Sequence, residues 1–295
     1  MTMKRKNGFL FVLFATLTAI CLCLSGCANE QAAAETGKPV IAVTIVPQKA
    51  FAEAVCGDLA DVITMVPPGS SPENYEPTPQ QMKLLEKAAL YFAIGVPTEE
   101  ANILPALESI ETVKVIALQD KVAEVYPDRT FASGERDPHI WLSPKRVRII
   151  IETITREMSE LAPENKQAFM NNAEAYLEQL DELDREINQL LQGAENRKFI
   201  VYHPAFGYFA DDYGLQMIAL EEEGKEATIR RLQEMIDFAK AENIKAVFYQ
   251  EEIDSSQSEA FAEEISGRTV QLAPLAADYI DNLKKMAETI GETIQ

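Results

Sequence analysis

The sequence contains two histidines, and both stand where a metal ligand would be useful. His139 lies in Asp137-Pro-His-Ile-Trp-Leu-Ser-Pro144, and His203 follows the β-rich run Phe199–Tyr202. In open α/β sheets, ligands bind outside the carboxyl ends of the strands. Neutral imidazole is the commonest metal ligand among protein side chains. The two positions therefore predict a metal site in a cleft that both histidines face, although a loop histidine by itself is more often a surface residue.

Acidic residues follow other strand candidates. Glu73 and Glu76 lie in the stretch 67–79, directly after the apolar run Val62–Val66, and either could complete a mixed nitrogen and oxygen ligand set. Glu221, Glu222 and Glu223 follow a later strand candidate and could supply further negative charge. The alternative for this second group is a solvated turn.

The elements that must position these residues alternate between strands and helices. In the first half, short apolar runs predict strands at Val40–Val46, Val62–Val66, Leu90–Ile94 and Val113–Leu118. In the second half, similar runs lie at Phe199–Tyr202, Leu215–Leu220, Ile244–Tyr249 and Thr269–Leu272. Amphipathic segments separate them, which favours parallel sheets covered by helices.

One long segment interrupts the alternation. Residues 163–193 begin with Pro163 and end at Gly193. The residues between them include no proline and no glycine, as expected for a single helix. Its apolar positions step by four and three residues, from Phe169 to Leu190. A coiled coil is the alternative, but the resumed alternation favours a helix that joins two lobes. We therefore predict an N-terminal α/β lobe at 39–162, a linking helix at 163–193 and a C-terminal α/β lobe at 194–295.

The N-terminus predicts export and a lipid anchor. Lys4, Arg5 and Lys6 precede the apolar run Phe9–Leu24, which is too short for a membrane span and fits a secretory signal. Leu24-Ser-Gly-Cys27 resembles a bacterial lipobox, so we expect 1–26 to be removed and Cys27 to be acylated. An ordinary signal peptide without a role for Cys27 is the alternative. Residues 27–38 are small and polar, which predicts a flexible tether and an extracytoplasmic protein held at a membrane.

Charge and cysteine content limit the possible functions. The chain carries −20, and loss of the three basic residues of the signal would leave −23, which argues against nucleic acid as a partner. Cys21 and Cys23 would leave with the signal and Cys27 would carry lipid, so no intrachain disulfide is expected. Cys56 is predicted to be a small buried residue.

Three motifs together carry a family resemblance. They are the stretch Pro67-Pro-Gly-Ser-Ser-Pro-Glu-Asn-Tyr-Glu-Pro-Thr-Pro79, the stretch around His139, and Tyr202-His-Pro-Ala-Phe-Gly-Tyr-Phe-Ala210. They resemble the zinc/manganese-class (cluster A-I) solute-binding lipoproteins of ABC transporters, also called the zinc-uptake or adhesion-lipoprotein family. The resemblance extends from Val40 to Ile290. It implies two Rossmann-like lobes joined by a rigid helix, metal bound between them, and an ABC permease as partner. We also expect a monomer.

The resemblance also implies which residues bind the metal. His139 and His203 match the second and third ligand positions of the family. Glu73 stands where the family normally has histidine, and Ala273 replaces an aspartate at the fourth position. We therefore predict a site of Glu73, His139 and His203 completed by water or another carboxylate, with zinc favoured over manganese or iron. Residues 121–136 lack the histidine-rich loop that zinc-selective members often carry.

Two other function classes stay open on the sequence. A three-ligand zinc site could serve a hydrolase, but the sequence has neither His-Glu-x-x-His nor Gly-x-Ser-x-Gly, so an enzyme is not expected. A relative that has lost metal binding and acts as an adhesin, or binds another solute, is supported mainly by Ala273.

Overall fold

The computed structural model describes residues 37–194, 196–221, 227–253 and 256–294. The predicted signal 1–26, Cys27, most of the tether, Glu222 and Glu223 lie outside these residues. Within the described part, none of the helices combines the length and the apolar composition that crossing a membrane would require.

Eight strands form two parallel sheets of four, as the alternating pattern predicts. The first sheet has the order β2-β1-β3-β4 and the second the order β6-β5-β7-β8. The strands of the first sheet are β1 (Val40–Val43), β2 (Asp61–Thr64), β3 (Leu90–Ala93) and β4 (Lys114–Ala117). Those of the second are β5 (Lys198–Val201), β6 (Gln216–Ala219), β7 (Ala246–Gln250) and β8 (Arg268–Leu272).

Ten α-helices connect and cover the strands in the described residues. They are α1 (Val46–Cys56), α2 (Pro79–Leu85), α3 (Leu104–Leu107), α4 (Leu118–Ala123), α5 (Pro144–Leu161), α6 (Lys166–Gln192), α7 (Gly207–Asp212), α8 (Ile229–Ala241), α9 (Ser256–Glu264) and α10 (Tyr279–Thr293). Shorter turns are 3-10 helices at Gly57–Leu59, Ile140–Leu142 and Pro163–Asn165, and a π-helix at Glu99–Ile103.

The long helix α6 joins the two lobes, as predicted. Its 27 residues would span about 40 Å at the standard rise per residue. It packs against α1 and α5 of the first lobe and α10 of the second. The fold is therefore the predicted one, two α/β lobes joined by one helix, whereas the exact domain boundaries stay predictions.

One apolar core runs through both lobes. Buried side chains form a continuous cluster from Ile41 on β1, through Phe169 and Ile187 on α6, to Phe199 on β5. Two smaller clusters cover the other face of each sheet. Cys56 is fully buried in the main cluster, as predicted, and burial raises the pKa of its thiol to about 12.

Candidate metal site

Glu73, His139 and His203 come together between the two lobes. One donor atom from each lies within 4.8 Å of the others. The Nε2 atoms of the two histidines are 3.1 Å apart, and His203 Nε2 is 3.8 Å from Glu73 Oε1. Both imidazoles are buried, and the Glu73 side chain is 23% exposed. The three residues predicted to bind metal thus form one cluster, open to solvent on the glutamate side.

Glu73 and His203 lie in loops at the carboxyl ends of strands, whereas His139 lies in the segment that follows α4. His203 follows the end of β5 by two residues, and His139 directly precedes the 3-10 turn Ile140–Leu142. Glu73 lies in the loop that follows β2. The positions of Glu73 and His203 match the expectation for an open parallel sheet, whereas a helix separates His139 from the end of β4.

Hydrogen bonds on both sides of Glu73 fix its loop. The Thr98 backbone N–H donates to Pro72 O at 3.0 Å, and the Thr98 hydroxyl donates to Tyr75 O. The Asn102 side chain also donates to Tyr75 O, at 3.2 Å. The segment that follows β3 therefore sets the position of the loop.

A buried carboxylate orients the first imidazole. Asp137 Oδ1 accepts hydrogen bonds from His139 Nδ1 at 2.8 Å and from the His139 backbone N–H at 3.0 Å. A carboxylate that accepts from Nδ1 favours the imidazole tautomer with its proton on Nδ1, which leaves Nε2 of His139 available to a metal in the cluster. This role of Asp137 was not predicted from the sequence, although Asp137 stands two residues before the histidine.

A second carboxylate does the same for the other imidazole. Glu221 is buried just after β6, and its Oε1 accepts a hydrogen bond from His203 Nδ1. It contacts the edge of the ring that faces away from the cluster, so it is neither a solvated turn residue nor a member of the donor cluster. A carboxylate behind a ligating histidine fixes its tautomer and raises its basicity.

The resulting arrangement has the electrostatics of a cation site. The Nε2 atoms of the two imidazoles face each other and the Glu73 carboxylate lies beside them. Each of the three groups can donate a lone pair to a cation. Two imidazole nitrogens and one carboxylate oxygen fit zinc, which takes such ligands in tetrahedral sites. Glu76 is exposed and lies outside the cluster, and the methyl group of Ala273 offers no donor.

A cavity of about 650 Å³ leads to the cluster. Besides the three residues, its wall includes the acids Glu100 and Glu135 and one cation, Arg136. The wall is therefore more acidic than basic, which favours entry of a cation.

Next to Gly95 and Glu100 of the cavity wall, Glu99 forms a buried hydrogen-bonded group. Its carboxylate is fully buried and accepts backbone N–H groups from Ile94 at 2.9 Å and Gly95 at 2.7 Å, and the hydroxyl of Thr44. Burial raises the pKa of Glu99 to about 7, and these hydrogen bonds partly oppose the shift. The group joins the carboxyl ends of β1 and β3.

Trp141 is a packing residue beside His139, as predicted. The two rings have centroids 5.0 Å apart, and Trp141 is buried. Its Nε1–H donates a hydrogen bond to Pro274 O at 3.0 Å. Pro274 belongs to the second lobe and directly follows Ala273.

Comparisons with known proteins identify the family. The family model described as zinc-uptake complex component A, periplasmic, matches residues 41–293. The high-affinity zinc uptake system protein ZnuA of Bacillus subtilis is 26% identical over 99% of both chains. The zinc-binding lipoprotein AdcA of Streptococcus pneumoniae is 28% identical over 96% of this chain, which spans 60% of that relative.

A solved structure agrees with this assignment. A crystal structure of ZnuA superposes with a TM-score of 0.82 and is 38% identical, covering 88% of this chain and 100% of that one. The family model spans nearly the whole described part of the chain and both lobes. The chain therefore belongs to the family of zinc-uptake complex component A proteins.

Proposed function

We propose that this chain is the extracytoplasmic receptor of an ABC zinc importer and that it captures zinc with Glu73, His139 and His203. The observation that carries the proposal is the cluster of three donor atoms within 4.8 Å, built from both lobes. The zinc-uptake and zinc-binding names of the relatives support zinc as the cargo.

The ligand set also fits the task of a receptor. Three protein ligands and one open position leave room for water, since Ala273 provides no fourth donor. The zinc is cargo in this proposal and must be given up to a permease, so the open position serves exchange and not hydrolysis. The periplasmic description of the family supports a receptor outside the cytoplasm.

Measurement of zinc affinity by competition with a chelating dye tests the site. His139→Ala and His203→Ala should each weaken binding beyond the 10–100-fold typical for loss of an outer-shell partner. Glu73→Ala should weaken it as well. Glu76→Ala is the matched control, because it removes the same charge from the same loop without touching the cluster. Unchanged zinc affinity in both histidine variants would refute the site.

The finer part of the proposal is the anchor. We propose that Cys27 is acylated, that the mature protein is a monomer at the membrane, and that it delivers zinc to the membrane permease of its importer. Mass spectrometry of the protein expressed in a bacterial host should find a lipid-modified N-terminal cysteine. Cys27→Ala should leave the protein without lipid and free of the membrane fraction, and membrane retention of that variant would contradict the anchor.

A further inference from the structure

The short helix α7 connects the surroundings of the two histidines. It begins at Gly207, four residues after His203, and it packs against the loop that carries His139. At this contact Arg129 of the first lobe is 2.5 Å from Asp211 on α7, measured from Nη1 to Oδ2. The Nε of the same guanidinium is 3.4 Å from Asp137 Oδ2. Arg129 thus lies between the second lobe and the carboxylate that orients His139.

Asp137 needs such a partner because it is almost completely buried. Its side chain is 1% exposed, and its Oδ1 is occupied by His139. Among the residues that the structure describes, Oδ2 accepts no hydrogen bond, and Arg129 is the arginine or lysine that forms an ion pair with it. Removing one partner of a buried ion pair leaves an uncompensated charge, which is strongly unfavourable.

Two further contacts of α7 hold the same position. The Tyr208 hydroxyl accepts the Arg129 backbone N–H at 2.9 Å and donates to Asp137 O at 3.1 Å. A Cβ atom at Gly207 would lie 2.4 Å from Arg129 Nε and 2.7 Å from Asp137 Oδ2, so the helix backbone closes directly over the pair. The first turn of α7 therefore leaves the guanidinium little room to move.

We propose that Arg129 is a positioning residue for metal capture, which holds Asp137, and through it the His139 imidazole, in register with the second lobe through Asp211. The inference rests on the proposed function for its cargo. The contacts connect Asp211, Arg129, Asp137 and His139 in series. Through them the orientation of His139, a ligand from the first lobe, depends on the second lobe.

The direction in which zinc affinity changes distinguishes a positioning role of Arg129 from a purely electrostatic one. Removing a positive charge near a cation site should strengthen zinc binding, because repulsion is lost. Removing a residue that positions a ligand should weaken it, as changes in outer-shell partners do. Arg129→Gln therefore has opposite expected results under the two explanations.

The experiment compares wild type, Arg129→Gln, Arg129→Lys and Asp211→Asn, with Arg136→Gln as the matched control. Arg136 lies on the cavity wall and pairs with Asp120 and Asp128 instead of Asp137. Zinc affinity should fall about 10-fold in Arg129→Gln, the lower end for outer-shell changes. It should fall less in Arg129→Lys and Asp211→Asn, whereas Arg136→Gln should not weaken binding.

Nitrogen-15 NMR of the zinc-free proteins provides a readout that does not require zinc. Wild-type His139 should show the Nδ1–H tautomer, and Arg129→Gln should lose its predominance, with partial recovery in Arg129→Lys. A wild-type tautomer pattern in Arg129→Gln would overturn the inference whatever the zinc result. Equal weakening by Arg136→Gln would also overturn it, whereas a wild type that binds no zinc would refute the proposed function and leave the NMR comparison decisive for Arg129.

Discussion

At the scale of single residues, the carboxylates behind the imidazoles distinguish this site from two histidines that merely lie close together. Asp137 and Glu221 each accept a hydrogen bond from Nδ1, which leaves Nε2 as the ligating nitrogen of each neutral imidazole, and the two Nε2 atoms are 3.1 Å apart. Two imidazole nitrogens held this close to each other form a pair of donor atoms that one cation can share. Loss of such a carboxylate partner typically weakens metal binding 10–100-fold.

Glu221 offers a direct test of this point. Glu221→Leu should weaken zinc binding about 10–100-fold, because His203 loses the partner that fixes its tautomer. Glu221→Gln should weaken it less, since an amide oxygen can still accept the Nδ1 proton. Glu242→Gln is the control, because it removes the same charge from a surface pair with Lys198. Equal affinities in the Leu variant and the control, measured by dye competition, would contradict the role.

Replacement of Gly207 by alanine should lower the stability of the protein. In Gly207→Ala the new methyl group would overlap Arg129 and Asp137, and overpacking of this kind costs about 1–3 kcal/mol. Gly193→Ala is the opposite case, because no atom lies within 4 Å of its Cβ position and its φ is −87°. The change should raise the free energy of unfolding by about 0.4–1 kcal/mol, because alanine restricts the unfolded chain. Urea unfolding measures both, and changes of the same sign would refute the packing argument.

At the scale of elements, α6 shows where the sequence pattern and the helix diverge. The spacing of four and three residues implies a period of 3.5, and a straight α-helix with 3.6 residues per turn drifts about 20° from it in each heptad. The apolar positions of the pattern run from Phe169 to Leu190. The structure leaves Leu190 39% exposed and buries Leu191, so the core position shifts by one residue after Ile187. The last apolar position of the sequence pattern therefore lies beside the core position of the helix.

This shift predicts different costs for two adjacent leucines. Leu191→Ala should destabilise the protein by about 2–5 kcal/mol, since it leaves a cavity in the main core. Leu190→Ala should change stability much less, because its side chain is partly solvated and alanine favours helix. The midpoint of thermal unfolding compares them, and similar losses in both variants would mean that α6 is rotated from the position described.

The link between β1 and β3 contains the acid most perturbed by burial among the described glutamates. Glu99 titrates at about 7 in the folded protein, whereas an unfolded glutamate titrates near 4.3. Between these values the folded state binds more protons, so the contribution of Glu99 to stability falls as pH rises through this window. The contribution of Glu99 is fully present below the unfolded pKa. It is lost as the pH rises through the folded pKa of about 7.

Glu99→Gln should remove this dependence, because an amide does not titrate in this range. The free energy of unfolding of wild type, relative to the Gln variant, should fall by on the order of 1–3 kcal/mol between pH 5 and pH 8. Urea unfolding at four pH values measures the difference. The neighbouring exposed residue provides a control in Glu100→Gln, and parallel pH curves for wild type and Glu99→Gln would contradict the assignment.

The sequence predicted the elements well because hydrophobic pattern and strand length are local properties. All eight strands and the joining helix α6 occur where alternation of apolar runs placed them, with ends shifted by a few residues. The cluster of Glu73, His139 and His203 was also predictable, from strand-end positions and from the family motifs. The partners of the histidines were not: the Glu221 contact depends on the packing of β5 against β6, and Arg129 reaches α7 across a sequence separation of 82 residues.

At the scale of the whole molecule, the lobes share one core instead of meeting at a solvated hinge. The main apolar cluster includes side chains from both sheets and from α6, and Arg146 of α5 adds a buried ion pair with Asp212 of α7 at 3.2 Å. Large rotation of one lobe would separate these packed surfaces. We therefore expect capture to involve small adjustments of loops, as the resemblance to receptors with a rigid joining helix also implies.

Trp141 turns this arrangement into an optical signal. It is the one tryptophan of the 295 residues, its ring lies 5.0 Å from that of His139, and its Nε1–H reaches Pro274 in the other lobe. Zinc at His139 should therefore change the intrinsic emission of the unlabelled protein, in a titration that saturates at one equivalent. His203→Ala should abolish that saturation while leaving the indole in place. A cell's zinc receptor would in this way carry its own fluorophore, and the kinetics of loading could be followed by stopped flow without any dye.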